Sequence, residues 1–132
     1  MKRKNICTNS YWEQVAGYSR AVKIGNQILV SGTTATDRAG KIIGLGSPYT
    51  QTKQIIKNIE STLIEAGGCL EDVVRTRIYV TNIDRRRNVC RAYHEYFNDI
   101  RPATTMVEVN RLTTPEILVE IEADAVIDRD EN

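Results

Sequence analysis

RPATTMVEVNRLTTPEILVEIEADA, residues Arg101–Ala125, carries two runs of period-two alternation. In the first, Val107 and Val109 share one side, and Thr104, Met106 and Glu108 share the other. In the second, Val119, Ile121, Ala123, Ala125 and Ile127 face one way, and Glu120, Glu122 and Asp124 face the other. Strict alternation predicts half-buried strands. Pro102 forces the chain out of helix just before the first of them. A strand that hides valine and isoleucine while presenting a row of carboxylates needs something to meet its second face. Solvent meets that need, and so does a partner.

The segments upstream supply the layer that covers the apolar face. Val73 to Val80 alternates Val74, Thr76, Ile78 and Val80 with Arg75, Arg77 and Tyr79, and is a third strand. Before it, Ser47-Pro48 opens a helix: serine caps free amides and proline suits the first helical position. Ile55, Ile56, Ile59, Leu63 and Ala66 follow at helical spacing, and Gly67-Gly68 ends the helix. A second helix begins near Asn82 or Asp84, with Val89, Ala92, Tyr93, Tyr96 and Phe97 as its core stripe. Ser19 to Ile24 and Gln27 to Thr33 read as two strands joined by Gly25-Asn26, a two-residue hairpin signal. Thr34 to Gly46, rich in Gly, Thr and Asp, reads as loop, with a short strand inside it as the alternative. The first dozen residues show no clear period and are expected to be less ordered.

The predicted order is β-β-α-β-α-β-β, an α+β fold with both helices on one face of a mixed sheet. The opposite face is expected to collect Arg75, Arg77, Glu108, Glu120 and Glu122, too charged for a core and well paired in sign. A subunit interface or a polar pocket accounts for such a face. Size bounds the architecture: 132 residues make one domain, 1–132, able to bury a core without staples.

Composition excludes several function classes. With a net charge of +1 the chain has no electrostatic footprint for nucleic acid. No segment approaches membrane-spanning length, and Lys2-Arg3-Lys4 lacks the apolar run a signal peptide needs. Cys7, Cys69 and Cys90 are odd in number and lack metal spacing, and His94 is the single histidine, so no metal site is expected. Such cysteine usage fits a reducing cytosol, and a cytoplasmic location is expected. Cys90 and His94 stand one helical turn apart, but they flank the apolar stripe, and a Cys–His catalytic pair is not favoured.

Seven segments together carry a resemblance. They are Gly17-Tyr18-Ser19-Arg20-Ala21-Val22, Val30-Ser31-Gly32, Ala66-Gly67, Arg77-Ile78-Tyr79-Val80, Tyr93 to Phe97, Arg101-Pro102-Ala103 running into Val107-Glu108-Val109, and Val119-Glu120-Ile121-Glu122-Ala123. Each is weak alone. In this order and at these spacings the chain resembles the Rid (YjgF-type) family of reactive-intermediate and imine deaminases, from about Gly17 to Ile127. The resemblance implies a chorismate-mutase-like fold and a homotrimeric barrel, with small-molecule pockets at the subunit boundaries. It implies hydrolysis of amino-acid-derived enamines and imines to a 2-keto acid and ammonia, without metal or organic cofactor.

The resemblance assigns a pocket tyrosine to Tyr18, a pocket serine to Ser31 and a water-positioning glutamate to Glu120. The family's substrate-clamping arginine is replaced by Thr104, its neighbouring cysteine by Met106, and a helix asparagine by Cys90. Arg20 stands where glutamine is usual, and is a candidate to take over the arginine's task. A guanidinium grips a carboxylate with two parallel N–H donors, and threonine offers one neutral hydroxyl. Losing a charged partner of this kind costs about 2–5 kcal/mol of binding. Weak activity on 2-imino acids is therefore expected. Two readings follow: a cofactor-independent hydrolase using Glu120 and water, or a trimeric small-molecule binding protein with the same pocket and no catalysis. RNA cleavage, a third possibility within the family, is disfavoured by the near-neutral charge and the lack of an aromatic-basic stripe.

Overall fold

The computed structural model describes residues 1–128. Its strands are β1 (Arg3–Ile6), β2 (Ala21–Ile24), β3 (Gln27–Thr33), β4 (Val73–Val80), β5 (Ala103–Glu108) and β6 (Val119–Val126). Its helices are α1 (Tyr11–Ala16), α2 (Pro48–Glu65) and α3 (Arg86–Phe97), with 3-10 turns at Leu70–Asp72 and Ile83–Arg85. One six-stranded sheet runs in the order β1-β2-β3-β6-β4-β5. Among the described residues, only the β4–β5 pair is parallel. β6 is antiparallel to both β3 and β4, so those two run parallel to each other with β6 between them. Helices α2 and α3 are the crossovers that such parallel geometry requires.

Apolar spacing explains the layering. β6 buries Val119, Ile121, Ala123 and Ala125 and leaves Glu120, Glu122, Asp124 and Val126 on its other face. Against the buried set α2 packs Ile55, Ile56, Ile59 and Leu63, and α3 adds Val89 and Phe97. Ser47 caps α2 by accepting from the Thr50 amide at 3.1 Å, and Gly67 leaves it with φ +93°. Gln51 is fully buried in the first turns of α2. Its Nε2 donates to the carbonyls of Gly44 (3.2 Å) and Glu116 (2.9 Å), and its Oε1 accepts from the Leu118 amide (2.9 Å). One side chain thereby satisfies three backbone groups in two long connections, which otherwise lack ladder partners.

The sequence reading needs four corrections. Residues 1–12 are not irregular: β1 pairs with β2 from Arg3↔Ile24 to Ile6↔Ala21, and α1 follows. β1 escaped notice because only Ile6 in it is buried. In β4 the core residue is Val73, while Val74 is 47% exposed, because the register shifts between Val73 and Arg75. Glu108 does not join the charged face; it accepts a hydrogen bond from the Ile83 amide at 3.0 Å. Helix α3 starts at Arg86, since Asn82 caps the preceding 3-10 turn through the Asp84 amide.

Gln51→Leu tests the loop-anchoring role. It keeps the volume but strands the Leu118 amide and two carbonyls, so unfolding free energy in urea should fall by about 3 kcal/mol.

Candidate active site on the open sheet face

Glu120, Glu122 and Asp124 project from the face of β6 opposite the one that packs against α2, and their surroundings differ. Arg77 Nη1 lies 3.5 Å from Glu122 Oε1 and 3.3 Å from Asp124 Oδ2. Tyr79 Oη donates to Glu122 Oε1 at 3.0 Å. Arg77 and Tyr79 of β4 are therefore engaged by the second and third carboxylates. Glu120 forms no ion pair with Arg77, and no hydrogen bond to it is found among the described residues. Burial raises its pKa above the usual carboxylate value; the Arg20 charge opposes this, and the Glu122 charge adds to it.

The floor beneath Glu120 is an irregularity in β3. Val30 pairs with Ala123 and Thr33 with Ile121, three steps on one strand against two on the other. That extra residue is a β-bulge at Ser31–Gly32. Glycine is needed there, because a Cβ on Gly32 would fall 2.2 Å from Glu120 Oε2. Ser31 Oγ donates to the Ser19 carbonyl at 2.7 Å, and its amide donates to the Arg20 carbonyl at 3.0 Å. The bulge is thus tied to the segment that carries Tyr18 and Arg20. An Arg20 Nη2 donates to the Gly32 carbonyl, and the guanidinium carbon lies 5.8 Å from the Tyr18 ring centroid. Tyr18 is 40% exposed.

Four of the residues singled out from sequence thus gather at one place: Tyr18, Arg20, Ser31 and Glu120. The other three do not. Thr104 lies on the helix side of the edge strand β5, where its hydroxyl is 2.8 Å from Thr76 Oγ1 and 2.7 Å from Tyr93 Oη. Thr76 and Tyr93 are themselves 2.7 Å apart, which closes a triangle of hydroxyls. Met106 packs partly buried against the core on the same side. Cys90 is exposed on α3, as is His94, and no hydrogen bond joins them among the described residues. Beside Thr104 is a concavity of about 280 Å³ lined by Tyr93, His94, Phe97, Asn98, Arg101 and Pro102. Arg101 does not serve as a clamp there. Its guanidinium is turned back onto Asn98, at 2.8 Å to the carbonyl and 2.9 Å to Oδ1.

Gly32 and the bulge were not singled out as a unit from sequence. A signal was present: the buried positions run Ile28, Val30, then Thr33 and Ala35, and the phase slips by one across Ser31-Gly32.

Comparison with known proteins gives the chain's family. A model of the family described as Endoribonuclease L-PSP matches residues 8–127. The chain belongs to that family, also called YjgF, RutC or Rid. It is 37% identical over 123 residues to a RutC family protein of Pyrococcus abyssi, covering 93% of this chain and 96% of that one. It is 33% identical over 107 residues to the 3-aminoacrylate deaminase RutC of Acinetobacter baylyi, covering 81% of this chain and 84% of the relative. Among solved structures, Rv2704 of Mycobacterium tuberculosis, a member of the YjgF/YER057c/UK114 family, superposes with a TM-score of 0.86. The two share 46% identity over 96% of this chain and all of that one. The family relation and the α+β fold expected from the sequence both stand. No helix among the described residues is long and apolar enough to cross a membrane.

The state of Glu120 has a consequence for stability. A carboxylate whose pKa is raised by folding binds more protons folded than unfolded between the two pKa values, so its contribution falls as pH rises through that window. Glu120→Gln mimics the protonated form. It should raise the urea midpoint at pH 7, and the advantage should vanish below about pH 4, where both states of the wild-type carboxyl are protonated.

Proposed function

We propose that the protein is a deaminase-type hydrolase of small enamines or imines, with Glu120 positioning the attacking water. The observation that carries this reading is the unpaired, half-buried carboxylate of Glu120 beside two carboxylates that share the Arg77 guanidinium. A carboxylate with a raised pKa is a better base near neutrality, and one without a hydrogen-bond partner has lone pairs to offer water. Water attack on the imine carbon gives a carbinolamine, whose collapse expels ammonia and leaves a carbonyl. Glu120 takes a proton from the attacking water and passes it to the imine nitrogen, then carries the carbinolamine hydroxyl proton to the same nitrogen, so ammonia leaves as the carbonyl forms; an enamine first tautomerises to the imine. The relation to a 3-aminoacrylate deaminase supports this reaction class.

The pocket we infer lies between subunits of a homotrimer. Glu120 occupies the open face of the sheet and Thr104 the helix side of an edge strand, so one small ligand cannot touch both within one chain. A neighbouring copy laid on the open face brings its own β5 edge toward Glu120. It also covers the charged face and such exposed apolar residues as Leu29 and Val107. In this pocket Thr104 replaces a charged donor with a neutral one already engaged by Thr76 and Tyr93. Substrates whose carboxylate must be gripped at that point are bound weakly.

Keto-acid release from imine generated in situ, corrected for spontaneous hydrolysis, tests the reading. Glu120→Gln should lower kcat at least about 100-fold, the usual scale of a general base. Wild-type activity on 2-iminobutyrate should be low, and Thr104→Arg should increase it, because Tyr93 and Thr76 keep their mutual bond and the adjoining concavity admits the longer side chain. An unaltered rate in Glu120→Gln would refute the assignment. Analytical ultracentrifugation should give a trimer at micromolar concentration; a monomer would remove the second wall of the pocket.

A further inference from the structure

Arg20 is held at a cost that its own contacts do not explain. Its Nε is buried with no acceptor among the described residues, an arrangement that destabilises a fold. One Nη2 reaches the Gly32 carbonyl in the bulge, next to the point where Glu120 Oε2 lies closest to the backbone. Its charge also acts on Glu13 of α1, which is 4% exposed. Glu13 accepts from the Thr8 amide (3.0 Å), the Thr8 hydroxyl (2.5 Å) and the Ser10 hydroxyl (2.7 Å). Burial alone would raise the Glu13 pKa, but these bonds and the Arg20 charge bring it below the usual value, so Glu13 stays ionised. The Arg20 charge therefore acts on two carboxylates, one fully hydrogen-bonded and the other without a hydrogen-bond partner among the described residues, and it forms no ion pair with either among those residues.

We propose that Arg20 is a positioning residue for Glu120: it fixes the bulge that carries Gly32 and supplies a positive charge that keeps the Glu120 carboxylate available as a base. This rests on the role proposed for Glu120. It also excludes Arg20 as a replacement for the missing clamp at position 104. Its charge already acts on Glu13 and Glu120, so the cluster carries no surplus positive charge for a substrate carboxylate.

The groups facing Glu120 define the balance. Glu122 on the same strand disfavours its ionisation, and Arg20 favours it. Tyr79 on β4 is neutral, its pKa raised by burial and by its bond to Glu122. Arg77 is engaged by Glu122 and Asp124. The bulge on β3 contributes Ser31 and Gly32, which do not titrate. Without Arg20 the desolvated carboxylate would face Glu122 with its attraction gone, and it would hold its proton at higher pH.

A titration of the Glu120 side-chain carboxyl by ¹³C NMR tests this and needs no substrate, so it stands or falls separately from the enzymatic reading. In Arg20→Gln the midpoint should rise by about one unit, while Arg20→Lys, which keeps the charge, should stay near wild type. An unchanged midpoint in folded Arg20→Gln, or an equal rise in Arg20→Lys, overturns the proposal. If Arg20→Gln does not fold, the reciprocal measurement decides. In Glu120→Gln the Arg20 Nε–Hε resonance should shift from its wild-type position, and a resonance that does not move overturns the proposal.

Discussion

β6 is hydrogen-bonded along both edges and covered on one face by two helices, and this fixes where its carboxylates must be. Its alternation leaves no freedom of register: a slip of one residue would drive Glu120, Glu122 and Asp124 into Ile55, Ile59 and Leu63. Three acids in a row on one strand face repel one another, and the fold answers with Arg77 and Tyr79 on the adjoining strand. The answer stops short of Glu120. Unequal treatment of chemically similar groups on one strand is what separates a base from a structural ion pair.

Much of this was legible in the residues. The β6 alternation, the Ser47-Pro48 start and Gly67 end of α2, and the Gly25-Asn26 turn all appear where local chemistry placed them. In each case the local preference and the tertiary demand coincide. The N-terminal elements were illegible for opposite reasons. β1 is an edge strand with one buried residue, so it has no period to detect. α1 has only six residues, buries Glu13 and exposes Tyr11, Trp12 and Val15, the reverse of an amphipathic surface helix. What holds it is a network of hydrogen bonds to one carboxylate, capped by Ser10 and ended at Gly17 with φ +80°.

The candidate site was legible as a list and not as an arrangement. Tyr18, Arg20, Ser31 and Glu120 converge because the β3 bulge turns Ser31 toward Ser19 and opens the backbone at Gly32 to the carboxylate. Thr104 and Met106 were read as sharing a side, and they do. Which face of the sheet that side adopts depends on β5 being an edge strand beside Thr76, information no local pattern contains. The hydroxyl triangle of Thr76, Thr104 and Tyr93 joins two strands and a helix across 28 residues of sequence, and it is visible only once all three have docked.

The costs this fold accepts are gathered at one end of the sheet. A strand carries an extra residue, an arginine buries an unpaired N–H, a carboxylate sits desolvated without a partner, and a short helix turns its apolar side chains outward. Elsewhere the described buried polar side chains are matched: Gln51 has three partners, Thr52 bonds the Pro48 carbonyl, and Thr76 bonds two hydroxyls. Sequences that specify a fold usually agree with it at every level and depart where a site requires it. Independent departures of backbone, charge and hydrogen bonding all converge on the surroundings of Glu120. A neutral or fully paired residue at position 120 would remove the desolvated charge at no loss to the sheet, so the free carboxylate is an argument for a task beyond holding the sheet together.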